Sequence, residues 1–130
     1  MSATFRICSA PPEAWLRIEG ELDVPSRGPL LWRLLDLEES GCTTLHLDVG
    51  QVTHVDARSM SLIEEARSRV RARSGHFHIT AASSCFGLVA RAAGFTTIAE
   101  QAERADLDPG RPPLLTPLPG GGDRPQQRAG

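Results

Sequence analysis

The chain has 130 residues, a formal net charge of −2 and 40% hydrophobic residues, which predicts one domain around one modest core. No apolar run approaches about 18 residues, so no membrane insertion is expected, and the near-neutral charge with few aromatics lacks the basic footprint of a nucleic-acid binder. Cys8, Cys42 and Cys85 are odd in number and widely spaced, which argues against a disulfide scaffold or a zinc site. The opening MSATFRICSA has no charged stretch followed by an apolar one, so no secretion signal is read and the expected location is the cytoplasm. Every basic residue is Arg and Tyr is absent; we assign this bias to genome composition.

Thr4–Ser9 reads as a short strand. Trp15–Leu22 alternates apolar and polar residues and reads as a second, and Pro11-Pro12 between them predicts a hairpin turn. Pro25–Glu39 switches to helical spacing, with Leu30, Leu31, Leu34 and Leu35 on one face, Ser26 as candidate cap and Gly41 as stop. Thr44–Val49 is a strand with Leu45, Leu47 and Val49 apolar, and Val52–Val55 reads as a connector. A helix follows Asp56 to about Arg73, with Met60, Ile63, Ala66 and Val70 along its apolar side and Gly75 beyond its end. Phe77–Ala81 is a further strand. A third helix, capped by Ser83 or Ser84, turns Leu88, Val89 and Ala92 inward and ends at Gly94, with Phe95 closing the cap. A last helix covers Ile98–Ala105. The order ββαβαβαα, with strands alternating with helices, predicts an α/β fold: a small mixed β-sheet with helices packed mainly on one face.

This domain is expected to span residues 1–107. Residues 108–130 form a Pro/Gly-rich tail; from Pro109 onward half the residues are Pro or Gly. Such a composition offers little apolar surface to offset ordering entropy, so the tail is expected to be disordered.

Three local patterns carry a resemblance. Gly20-Glu21-Leu22-Asp23 ends the second strand. Leu47-Asp48-Val49 leads through Val52-Thr53-His54-Val55-Asp56 into a helix. Arg73-Ser74-Gly75 precedes a strand, then a helix ending Ala93-Gly94-Phe95. In this order and spacing, over residues 4–105, they resemble the STAS domain of bacterial anti-sigma-factor antagonists. The resemblance implies a regulatory protein without a cofactor that binds an anti-sigma factor, often also a serine kinase, and so controls transcription. It also implies a switch in which a Ser at the start of the second helix is phosphorylated. The physics is direct: a phosphate at a helix N-terminus gains local hydrogen bonds and presents about two negative charges to a partner shaped for a neutral hydroxyl.

The family pattern is Asp-Ser-Ser-Gly, with the acceptor two residues after Asp. Here the text is Asp56-Ala57-Arg58-Ser59-Met60, so Arg58 stands at the acceptor position and Ser59 where Gly is usual. Three readings stay open: Ser59 is a displaced acceptor, turned about 100° around the helix; the chain is not phosphorylated here; or Arg58 is itself a contact. The candidate partner-binding residues are Asp23, Asp56, Arg58, Ser59 and Met60, with Ser59 the candidate phosphorylation site. Asp56 is also read as a helix cap and Asp23 as a turn former.

Other constellations carry less. His76 and His78 share a strand face but have no third ligand in view, so no metal site is predicted. His54, Asp56 and Ser59 have the letters of a catalytic triad, yet no nucleophile elbow surrounds Ser59. Arg67, Arg69, Arg71 and Arg73 read as a solvated helix end, where cations suit the dipole, with Glu65 paired four residues before Arg69. The chain is therefore expected to be no enzyme. The alternative to the anti-sigma-factor antagonist is the same fold serving, unphosphorylated, as a subunit of a larger assembly, such as a transporter accessory or a stress-signalling scaffold.

Overall fold

A computed structural model describes residues 3–106; the tail from residue 108 lies outside the described residues. Eight elements follow one another: β1 (Thr4–Ala10), β2 (Glu13–Leu22), α1 (Val24–Glu39), β3 (Thr44–Val55), α2 (Ala57–Ala72), β4 (His76–Ala82), α3 (Ser84–Ala92) and α4 (Thr96–Asp106). The order is the expected ββαβαβαα. The sheet is mixed, with β1 antiparallel to β2 and β2, β3 and β4 parallel, in the spatial order β1-β2-β3-β4.

Alternation along the strands decides which face is covered. Ala14, Leu16 and Ile18 of β2, Leu45, Leu47 and Val49 of β3, and Phe77 and Ile79 of β4 are all buried and stand in register. Their neighbours Trp15, Arg17, His46, Asp48, His76 and His78 therefore point to the opposite face. The helices close the apolar face with Leu30, Leu34 and Leu37 of α1, Met60, Ile63, Ala66 and Val70 of α2, Phe86 and Ala90 of α3, and Ile98, Ala99 and Ala102 of α4. At about 2 kcal/mol for each large side chain removed from water, this one core accounts for the cohesion of all four helices with the sheet.

Four local expectations are corrected. The segment Val52–Val55 is no connector but the second half of β3. It keeps pairing with Gly20–Leu22 through register shifts, so Val49, Val52 and Val55 all point inward at a spacing of three rather than two. Leu37 takes the inward place expected of Leu35, which is exposed. In α3, Leu88 is 68% exposed and Ala92 lies outside, while Phe86 and Ala90 face the core. Small residues let α3 approach α4: a Cβ on Gly87 would lie 3.8 Å from the Ala102 Cβ. Finally, Ser26 is not the cap of α1. Asp23 holds that position, and the Ser26 hydroxyl turns back to donate to the Glu21 carbonyl at 2.9 Å.

The ends of α2 and α3 share one device. Phe95 N–H donates to the Ala90 carbonyl and Gly94 N–H to that of Arg91, with Gly94 at φ 87°, the paired bonds of a Schellman turn. At the end of α2, Gly75 N–H reaches the Val70 carbonyl, and Ser74 takes the left-handed place at φ 61°. Glycine is required one residue later for another reason: a Cβ on Gly75 would meet the Thr43 carbonyl oxygen at 2.1 Å.

Candidate functional site

The parallel strands β2, β3 and β4 run to one end of the sheet, where α1, α2 and α3 begin. In open α/β sheets this end, beyond the strands' carboxyl termini, is where ligands bind. Leu22 pairs with Val55, and Asp56 N–H donates to the Leu22 carbonyl at 3.0 Å. The G-E-L-D element and the start of α2 are thereby brought side by side, although 33 positions separate Asp23 from Asp56 in the chain.

Asp56 caps α2. Its Oδ1 accepts from Ser59 N–H at 2.8 Å, and its Oδ2 accepts from Arg27 of α1 at 2.7 Å. Burial pushes its carboxyl up, but the Ser59 hydroxyl and main-chain N–H and the Arg27 guanidinium together outweigh this and hold it below the ordinary Asp value. Asp56 is therefore a fixed anion that links two helix starts. Asp23 stands at the cap of α1 without accepting a side-chain capping bond; its carbonyl accepts from Ser26 N–H at 2.9 Å, and its carboxylate is left half-buried beside the Ser26 hydroxyl at 3.4 Å.

Arg58, two positions after Asp56, is exposed and has no ionic or hydrogen-bond partner among the described residues. Ser59 and Met60 turn the other way. Both are 0% exposed, and Ser59 Oγ makes no hydrogen bond of good geometry although it lies near enough to Asp56 to favour its charge. The cause is the pitch of the helix: about 100° per residue carries the chain from the surface at Arg58 to the core at Ser59 and Met60. The expectation that Ser59 and Met60 lie on the contact surface is corrected accordingly. The surface of this end includes the exposed Val24, Thr53, His54 and Arg58 and the half-buried Asp23, Arg27 and Asp56.

Arg27 escaped the reading of the sequence. It sits in the first turns of a helix among Pro25, Gly28 and Pro29, and only the pairing of β2 with β3 places it on Asp56. The triad letters do not assemble a triad: the Ser59 hydroxyl is enclosed, Asp56 is committed to Arg27 and the Ser59 N–H, and His54 faces solvent. Among the described residues no group of three or more His, Cys, Asp or Glu is placed to hold a metal ion, and no helix is long and apolar enough to cross a membrane.

Solved structures share this fold. The anti-sigma factor antagonist SpoIIAA in its unphosphorylated form superposes with a TM-score of 0.63 at 16% identity, covering 83% of this chain and 96% of that one. An anti-sigma factor antagonist from Mycobacterium paratuberculosis superposes with a TM-score of 0.57 at 14% identity, covering 85% and 83%. At these identities the likeness is one of fold. No curated protein sequence matches the chain. The family model described as "Mlab, STAS domain" matches residues 6–101, nearly the whole of the described chain. The chain belongs to that STAS domain family.

Proposed function

We propose that this chain is a non-enzymatic regulatory module of the anti-sigma-factor antagonist type, which docks an anti-sigma factor of serine-kinase fold in the bacterial cytoplasm and so influences sigma-factor-dependent transcription. The docking face is the end of the sheet that carries Asp23, Arg27, Asp56 and Arg58. The observation that carries the reading is the exposed, unpaired Arg58 beside a cap that is already locked. The Asp56–Arg27 pair fixes the first turn of α2, so a free guanidinium with five donors is presented from a rigid base. Binding here is not gated by phosphate on Ser59, because a kinase cannot reach an enclosed hydroxyl without opening the helix.

A second reading has its own support. The matching family model is described by Mlab rather than by the anti-sigma factor antagonists, and no hydroxyl stands at the usual acceptor position. The same face then holds the chain as a constitutive subunit of a larger assembly.

Capture on the immobilised chain from lysate of its source cells, with identification by mass spectrometry, separates the two. An anti-sigma factor of kinase fold, lost with Arg58→Glu, is the expected result. Recovery of a multi-subunit complex without a kinase fold, lost with the same variant, favours the second reading. Capture indifferent to Arg58→Glu contradicts both.

A further inference from the structure

The open face of the sheet carries a second set of polar side chains, away from the docking end. Trp15 of β2, His46 of β3 and His78 of β4 stand in register and stack, with ring centroids 5.1 and 5.5 Å apart, and His76 stacks on His78 at 6.2 Å. At the β4 edge this row borders an open groove of about 930 Å3 between the end of α2 and α4. Its volume falls in the range of small-molecule sites.

The charged residues of the lining, Arg71 and Arg104, are both cationic. The lining also includes His46, His76 and His78, and it contains no Asp or Glu among the described residues. The chain as a whole carries a net charge of −2, so this is a local arrangement. Most arginines elsewhere are paired: Arg17 with Glu19, Arg27 with Asp56, Arg67 with Glu64, Arg69 and Arg73 with Glu38, and Arg91 with Glu103. Arg71 and Arg104 have no carboxylate partner among the described residues. Each stands near the C-terminus of its helix, where a cation complements the dipole. That explains each arginine singly. It does not explain why two helices bring these guanidinium groups to one groove whose lining, among the described residues, holds imidazoles and no carboxylate. Glu13, which meets His46 Nε2 at 3.0 Å, lies outside the lining.

We propose that this groove binds an oligophosphate group. Guanidinium forks match the paired oxygens of a phosphate, and two of them beside the exposed His76 imidazole suit an anion bearing several charges on adjacent phosphoryl groups. On the same wall Gln101 Oε1 accepts from Ile79 N–H at 3.1 Å, which holds this side chain against the edge of β4 and leaves its NH2 group as a further donor beside the guanidinium groups.

The test is titration of the full 15N-labelled chain with pyrophosphate at physiological salt. Amide shifts concentrated at residues 71–80 and 101–105 are expected, with affinity weakened at least about tenfold by Arg71→Ala/Arg104→Ala. Arg6→Ala, which removes an exposed arginine of β1 outside the groove, leaves binding unchanged. If the double variant does not fold, Arg104→Gln alone carries the same expectation at a smaller factor. Absence of shifts, shifts spread evenly over the arginines of the surface, binding kept by the groove variants, or citrate bound as tightly as pyrophosphate would each overturn the proposal.

Discussion

Arg27 of α1 donates to the Asp56 carboxylate at 2.7 Å while the same carboxylate caps α2 through the Ser59 N–H. One anion thus holds two helix starts in a fixed relation at the carboxyl end of the sheet. Asp56→Ala removes a cap, worth about 1 kcal/mol, and strands Arg27. A total loss of about 1.5–2 kcal/mol in urea unfolding is expected. Arg27→Ala alone costs about 0.5 kcal/mol, because the pair is partly solvated. A double-mutant cycle gives a coupling of less than about 1 kcal/mol; zero coupling would show that the two residues do not interact in solution.

The same carboxylate sets a pH dependence. Its folded pKa lies below its unfolded one, so its stabilisation is present above the unfolded value of about 4. It is lost as pH falls through the folded value. Unfolding free energy measured from neutral pH downward therefore drops in this acid range, and Asp56→Asn shows a shallower drop there. Equal slopes for the two proteins would assign the acid sensitivity to other carboxylates.

Ser59 separates surface from core. Ser59→Ala removes a hydroxyl without a well-formed hydrogen bond and is expected to change stability by less than about 0.5 kcal/mol. Ser59→Asp buries a charge and is expected to cost more than about 3 kcal/mol. Thermal unfolding of the two variants checks both. A well-tolerated Ser59→Asp would mean that this side chain reaches solvent.

The turn after α2 offers a matched pair. Ser74→Gly relieves a left-handed serine and is expected to stabilise by about 0.5–1 kcal/mol. Gly75→Ala, one residue on, drives a methyl into the Thr43 carbonyl oxygen and is expected to cost about 3 kcal/mol. Denaturant midpoints rank the three proteins, and a reversed order would refute the turn geometry.

Much of this was legible in the sequence, for identifiable reasons. The periods of Leu45-Leu47-Val49 and of Met60-Ile63-Ala66-Val70 match the core faces of β3 and α2, and Asp56 before an apolar-periodic run marks a cap. Patterns failed where pairing partners set the geometry. Val52 and Val55 looked like a connector because the shifts against Gly20–Leu22 break the two-residue period. Leu88 looked like core because the rotation of α3 is fixed by Phe86 and by the close approach of Gly87 to Ala102. Met60 was read both as an apolar helix position and as a contact; its burial leaves only the first. The Arg27–Asp56 pair joins residues 29 positions apart, and no local pattern announces it.

In the proposed mode of docking, the face of Asp23, Arg27, Asp56 and Arg58 meets the protein partner. Hydrogen exchange of the chain, alone and in complex with the partner that it captures, tests this most directly. New protection confined to residues 23–28 and 53–61 is expected, with exchange of the open-face strand segments around His46 and His78 unchanged. Protection of those strand segments with no change at the start of α2 would contradict it.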